Sequence, residues 1–180
     1  MRFESSPLDG VFVIESERTE DQRGFFARTF CRREFEAHGL NPCVAQCSVS
    51  YNHWRGTLRG MHYQVAPHQE VKLIRCIRGA IYDVIVDLRR DSPTFKQWIG
   101  MELSADTGRA LYVPRGFAHG FQTLVDNTEV FYQISEFHDA SCARGLRWND
   151  PALAICWPML PRVIAERDAN YPDFEWRRPY

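Results

Sequence analysis

Along this chain apolar residues recur at every second position over short runs, and Gly, Pro, Asn or Asp punctuates the gaps between them. Period-two alternation marks a strand with one buried face, whereas a helix would repeat every 3.6 residues. The pattern predicts strands over residues 11–15, 44–50, 71–77, 80–88, 98–103, 110–113 and 129–135. The longest puts Ile81, Asp83, Ile85 and Asp87 on one face and Tyr82, Val84, Val86 and Leu88 on the other. One face is apolar and the other mixed, as expected at a cavity wall. Arg78-Gly79 reads as a turn joining two strands. Only residues 32–38 carry a convincing helical pattern, ended by Gly39. After Trp157-Pro158 the pattern loses regularity, which predicts a tail folded over the sheets with a helical turn near 163–167. Many short strands and few helices predict an all-β fold: a jelly-roll barrel with a short helix and an irregular C-terminal tail. The mouth of such a barrel is a natural place for a small-molecule site.

Composition narrows the setting. A length of 180 residues is most simply one domain, spanning 1–180. A net charge of -1 gives no global field for nucleic acid or an anionic membrane. No apolar run approaches the roughly 20 residues that cross a bilayer, and Met1-Arg2-Phe3-Glu4-Ser5 does not open a signal peptide. Cys31, Cys43, Cys47, Cys76, Cys142 and Cys156 form no CxxC pair and no zinc spacing, so free thiols in a reducing cytoplasm are expected. Of 22 basic residues only Lys72 and Lys96 are lysines. Arginine grips phosphate and carboxylate with a planar fork, while lysine is a compact point charge. A lysine inside the apolar run Val71-Lys72-Leu73-Ile74 therefore stands out.

The chemistry concentrates around Leu58-Arg59-Gly60-Met61-His62-Tyr63-Gln64. On a regular strand Arg59 and His62 point to opposite faces; a bulge at Gly60 would aim both into one pocket. His62, Lys72, Asp83 and Tyr132 all lie in strand-like contexts where apolar residues are the norm. Taken singly, each has a plain structural reading: a histidine on a wet face, a snorkelling lysine, a satisfied core tyrosine. Together they offer a base, a cation and a phenol. That set suits proton abstraction beside a carbonyl, with the cation on the enolate oxygen and the phenol returning a proton. An imidazole base needs an acceptor for its other ring nitrogen; Asp168 and Asp83 are both candidates. A metal site is the competing reading, because barrels of this kind often carry a His-x-His pair and a distant histidine. His119 resembles the distant ligand, but Tyr63 and Gln64 follow His62, and the donor count falls short of the usual three or four. No metal is expected.

Six motifs, in order and at matching spacing, carry a resemblance over residues 8–174. They are Asp21-Gln22-Arg23-Gly24-Phe25-Phe26, Gly56 through Gln64, Lys72-Leu73-Ile74-Arg75-Cys76, Asp91-Ser92-Pro93-Thr94-Phe95, Val113 through Phe121, and Gly145-Leu146-Arg147-Trp148-Asn149-Asp150-Pro151. The chain resembles the dTDP-4-dehydrorhamnose 3,5-epimerase family, metal-free cupin-like jelly rolls that act on nucleotide-linked 4-keto-6-deoxyhexoses. The resemblance implies epimerisation at C3, C5 or both, without a cofactor, in deoxysugar or polysaccharide synthesis. It implies His62 as general base, Asp168 as its orienting acid, Lys72 on the enolate at C4 and Tyr132 as the acid on the opposite side of the sugar. Arg23 and Arg59 would grip the diphosphate, and Gln46 and His119 would touch sugar or phosphate. Phe26 and Arg167 belong to the implied substrate-binding set. The implied assembly is a homodimer whose N-terminal segment crosses to the partner.

Four substrate-contact positions depart from the family pattern. Arg28 and Ala143 stand where the rhamnose-pathway enzymes usually carry glutamate, Ser48 replaces an asparagine, and His138 replaces a tyrosine that stacks on thymine. The reaction class follows from the intact catalytic set. The departures leave the nucleotide (dTDP, GDP or CDP), the sugar and the regiochemistry open. A metal-dependent cupin oxygenase or isomerase is the alternative of a different class.

Overall fold

The computed structural model describes residues 1–174. In chain order the elements are β1 (Arg2–Ser5), β2 (Phe12–Glu15), β3 (Arg18–Asp21), β4 (Gly24–Ala27), α1 (Arg32–Ala37), β5 (Gln46–Asn52), β6 (Thr57–Gln64), β7 (Lys72–Arg78), β8 (Ala80–Asp87), β9 (Trp98–Ser104), β10 (Arg109–Val113), β11 (Phe117–Thr123), β12 (Thr128–Ile134), β13 (Ala143–Gly145), β14 (Val163–Ile164) and α2 (Glu166–Ala169). One sheet has the order β1-β2-β10-β7-β12-β5; the other runs β13-β6-β11-β8-β9, and β14 joins β6 in parallel. β3 and β4 form a separate two-stranded hairpin.

The two main sheets enclose a core of Ile74, Cys76, Leu111, Val113 and Val130 from the first and Ile81, Ile85, Leu103, Phe117 and Phe121 from the second. β8 shows how the alternation is used. Ile81 and Ile85 face this interior, while Val84, Val86 and Leu88 face outward. The outward face is nonetheless buried, because Leu146, Leu153, Ile155 and Phe174 of the C-terminal segment lie over it. The tail expected from the sequence thus completes a second core. A third forms where Phe35 of α1 and Leu40 cover Ile14, Leu73, Ala110 and Tyr112 on the back of the first sheet.

Several elements differ from the sequence expectation. The sequence pattern predicts no strand at β11: all of Phe117–Thr123 is buried, so no polar alternation marks it. The β3–β4 hairpin escaped for the opposite reason, since it has no buried face. Residues 163–164 form a strand, and the helical turn lies just beyond it in α2. α1 ends one residue earlier than expected, with His38 as its C-cap.

The β6–β11 pairing contains the feature that aims the site. His119 pairs with His62 and Phe121 with Arg59, so three steps on β6 match two on β11. That is a bulge at Gly60–Met61. Gly60 has φ +125, and a Cβ there would lie 2.5 Å from the Gly120 Cα. A Cβ on Gly120 would in turn lie 2.8 Å from the Arg59 carbonyl oxygen. Both glycines are therefore needed for the two backbones to approach. The bulge cancels the parity difference, and Arg59 and His62 line the same cavity.

Candidate active site

The cavity is open, has a volume of ≈ 810 Å³, and draws on both sheets and the C-terminal segment. β6 contributes Arg59 and His62, β7 Lys72, β11 His119, β12 Tyr132 and α2 Asp168. His62 Nε2 lies 2.8 Å from Asp168 Oδ1, and the Gly60 N–H donates to Asp168 Oδ2 at 3.1 Å. The bulged strand thus holds both the histidine and the amide that fixes its acid. Burial works against the Asp168 carboxylate, but the His62 hydrogen bond and charge, the Gly60 amide and Arg167 outweigh it and hold its pKa below the ordinary value. Because a carboxylate only accepts, a neutral His62 carries its proton on Nε2 and presents Nδ1 as the free base.

Asp83, the other candidate acid, serves a different histidine. Its Oδ2 lies 2.8 Å from His119 Nε2. Its Oδ1 is buried without a hydrogen-bond partner among the described residues. Burial raises the Asp83 pKa, against the opposing pull of His119 and Lys72. Tyr132 meets His119 edge-on at a centroid distance of 6.0 Å. Burial and then the nearby Asp83 charge raise the phenol pKa, so the hydroxyl stays protonated and can donate.

Lys72 is held from two sides. Its Nζ lies 2.8 Å from Glu70 Oε1 and donates to the His62 carbonyl at 3.1 Å. An ammonium has three N–H groups, so one remains for a ligand in the cavity. Arg59 is also braced, donating from Nε to Asn52 Oδ1 at 2.8 Å. Gln46, Ser48, His138, Ala143 and Arg167 line the same cavity, and Gln46 Oε1 accepts the His138 N–H at 2.8 Å.

Three expected substrate-binding residues lie elsewhere in the single chain. Arg23 and Phe26 sit on the β3–β4 hairpin, which among the described residues pairs with no other strand, and Arg28 follows it. Arg23 is ion-paired with Asp21, and Arg28 lies 3.6 Å from Glu34. Conversely, Glu70 and Tyr171 line the cavity without standing out in the sequence. The Tyr171 ring stands edge-on to His62 at 6.3 Å, occupying space that a Cβ on Gly145 would need. Glu70 lies two positions before Lys72, the spacing of side chains on one face of an extended chain, and that was its available signal.

A family model described as dTDP-4-dehydrorhamnose 3,5-epimerase matches residues 5–175. The chain belongs to this family. The family is one of cofactor-independent isomerases, and the reaction is 3,5-epimerisation of a dTDP-linked 4-keto-6-deoxyhexose in deoxysugar biosynthesis. The epimerase of Sinorhizobium fredii is 40% identical over 173 residues, which cover 96% of this chain and 89% of that protein. The crystal structure of the Bacillus anthracis epimerase with TDP and PPi bound is 43% identical, with a TM-score of 0.93 over 96% of this chain and 99% of that one. The Legionella pneumophila epimerase, solved with dTDP-4-keto-L-rhamnose, is 33% identical with a TM-score of 0.88, covering 93% and 89% of the two chains. The cupin-like fold of these epimerases is thus the fold of this chain. Among the described residues no three His, Cys, Asp or Glu side chains are grouped to hold a metal ion, and no helix is long and apolar enough to cross a membrane.

Proposed function

We propose that His62 is the general base of the epimerisation, with Asp168 holding its tautomer, Lys72 stabilising the enolate and Tyr132 returning the proton. One observation supports this reading above the others: the imidazole paired with a buried carboxylate shares a cavity with an ammonium and a protonated phenol. C3 and C5 both flank the C4 ketone, so the two enolates share one oxygen. A single ammonium at that oxygen serves both deprotonations, each of which needs only a base able to reach the carbon. Removing the proton from one face and returning it on the other inverts the centre. Arg59 and Arg167 offer guanidinium forks to the diphosphate. Gln46, Ser48 and His138 form the wall for the base, with the His138 ring able to stack on it.

We further propose that the enzyme works as a homodimer in the cytoplasm. Phe25 and Phe26 on the hairpin are 58% and 76% exposed, and Val49 and Ile77 on the first sheet are exposed as well. A partner covering these side chains would bring Arg23, Phe26 and Arg28 to its own cavity. All six cysteines are unpaired, in keeping with a reducing compartment.

The test is proton NMR of dTDP-4-keto-6-deoxyglucose turned over in heavy water, with sedimentation of the same sample. Deuterium at C3 and C5 and a dimeric mass are expected. Absence of uptake at both carbons would refute the assigned roles, and a monomer at micromolar concentration would refute the assembly.

A further inference from the structure

The roles proposed above leave one buried charged group in the cavity unused. Glu70 lies in the connection between β6 and β7, and its side chain is only 7% exposed. Both carboxylate oxygens are engaged. Oε1 holds the Lys72 ammonium at 2.8 Å, and Oε2 accepts the Gln64 N–H at 3.1 Å. Lys72 in turn donates to the His62 carbonyl. β6 and β7 belong to different main sheets, so this run of contacts bridges them at the cavity. It ties the ammonium to the two residues of β6 that flank Tyr63, one of which carries the imidazole.

A lysine stem has four rotatable carbons and many rotamers, few of which would place Nζ at a given substrate oxygen. A misplacement of about 1 Å at a reacting centre can cost on the order of 100-fold in rate. The His62 carbonyl alone offers one neutral acceptor. The Glu70 carboxylate adds a second, charged one and is itself fixed to the β6 backbone. We infer that Glu70 is a positioning residue for the reaction: it holds Lys72 in the rotamer that meets the enolate oxygen and keeps that rotamer in register with the base. The inference rests on the role of Lys72 proposed above.

The experiment compares parent, Glu70→Ala, Glu70→Gln, Lys72→Met and the Lys72→Met/Glu70→Ala double variant by NMR-detected deuterium uptake and turnover of dTDP-4-keto-6-deoxyglucose. Glu70→Ala should lower kcat on the order of 100-fold while KM and dTDP affinity stay within about threefold, since dTDP lacks the sugar carbonyl. Glu70→Gln keeps one acceptor oxygen for the ammonium and should recover to within about tenfold of the parent. In the Lys72→Met background Glu70→Ala should cost nothing more, because Glu70 acts through the ammonium. A parent without uptake refutes the functional reading itself. With an active parent, a Glu70→Ala loss under threefold, or an equal loss in both backgrounds, overturns the positioning role. Loss of cooperative melting in both Glu70 variants also overturns it, because the carboxylate would then hold the fold.

Discussion

Replacing Asp168 by Asn tests the base most directly. The side chain is 5% exposed and keeps its shape, so only charge and hydrogen-bond polarity change. Two arrangements are open to the amide. If its oxygen stays on the Gly60 N–H, its NH2 group donates to His62 Nε2, and the histidine must carry its proton on Nδ1. Nδ1, the ring nitrogen away from Asp168, is then no base. If the amide flips, its oxygen receives the Nε2 proton and the useful tautomer survives. The NH2 group then faces the Gly60 N–H at a spacing now 3.1 Å. That opposition of two buried donors costs about 1–3 kcal/mol. In the flipped form the imidazolium that arises during proton abstraction also loses a charge-assisted partner, about another 1.5–3 kcal/mol. The joint penalty corresponds to a fall in kcat of roughly 10²–10⁴. KM should move little, since the carboxylate faces the imidazole. Single-turnover deuterium uptake in heavy water measures the step. An Asp168→Asn variant within fivefold of the parent would refute the tautomer argument.

Tyr132→Phe should lower kcat by about 10²–10⁴ with dTDP affinity, read by calorimetry, within twofold; equal losses in both would point to a packing role. Gly120→Ala would put a Cβ 2.6 Å from Met61 Sδ and 2.8 Å from the Arg59 carbonyl, and urea titration should show a loss of about 1–3 kcal/mol. Because the folded Asp168 pKa lies below its unfolded value, its contribution to stability is complete above about pH 4 and disappears as pH falls through the lowered folded value. Melting curves of the parent should show that acid-side decline, and those of Asp168→Asn should show less of it.

The sequence made the β8 interior legible because Ile81 and Ile85 alternate with residues of a second buried face. It hid β11 because burial on both sides removes alternation, and His119-Gly120 interrupts the apolar run. His62, Lys72 and Tyr132 were visible as polar side chains in strand contexts. The parity of Arg59 and His62 could not be decided from residue types alone; it needed the register of a neighbouring strand, which shows the bulge. The choice between Asp168 and Asp83 was equally beyond spacing, for the two carboxylates sit beside different histidines through tertiary packing. Glu70 does not stand out in the sequence because a lone carboxylate beside a turn looks like a solvated surface charge. Its burial arises only when β6 and β7 enter separate sheets.

The distance along the chain between His62 and Asp168 has a consequence for how the activity comes into being. The acid is 106 residues downstream of the histidine. Among the described residues it follows every strand, on a helix of four residues just after β14. A growing chain therefore contains His62, Lys72 and Tyr132 before it contains the carboxylate that pairs with the imidazole. A cut just ahead of α2 would part Asp168, Arg167 and Phe174, which packs in the second core, from the sheets that carry His62 and Arg59. The C-terminal segment thus carries both the proposed partner of the base and Arg167, one of the two forks offered to the diphosphate, so catalytic assays and nucleotide affinity alike report on its integrity.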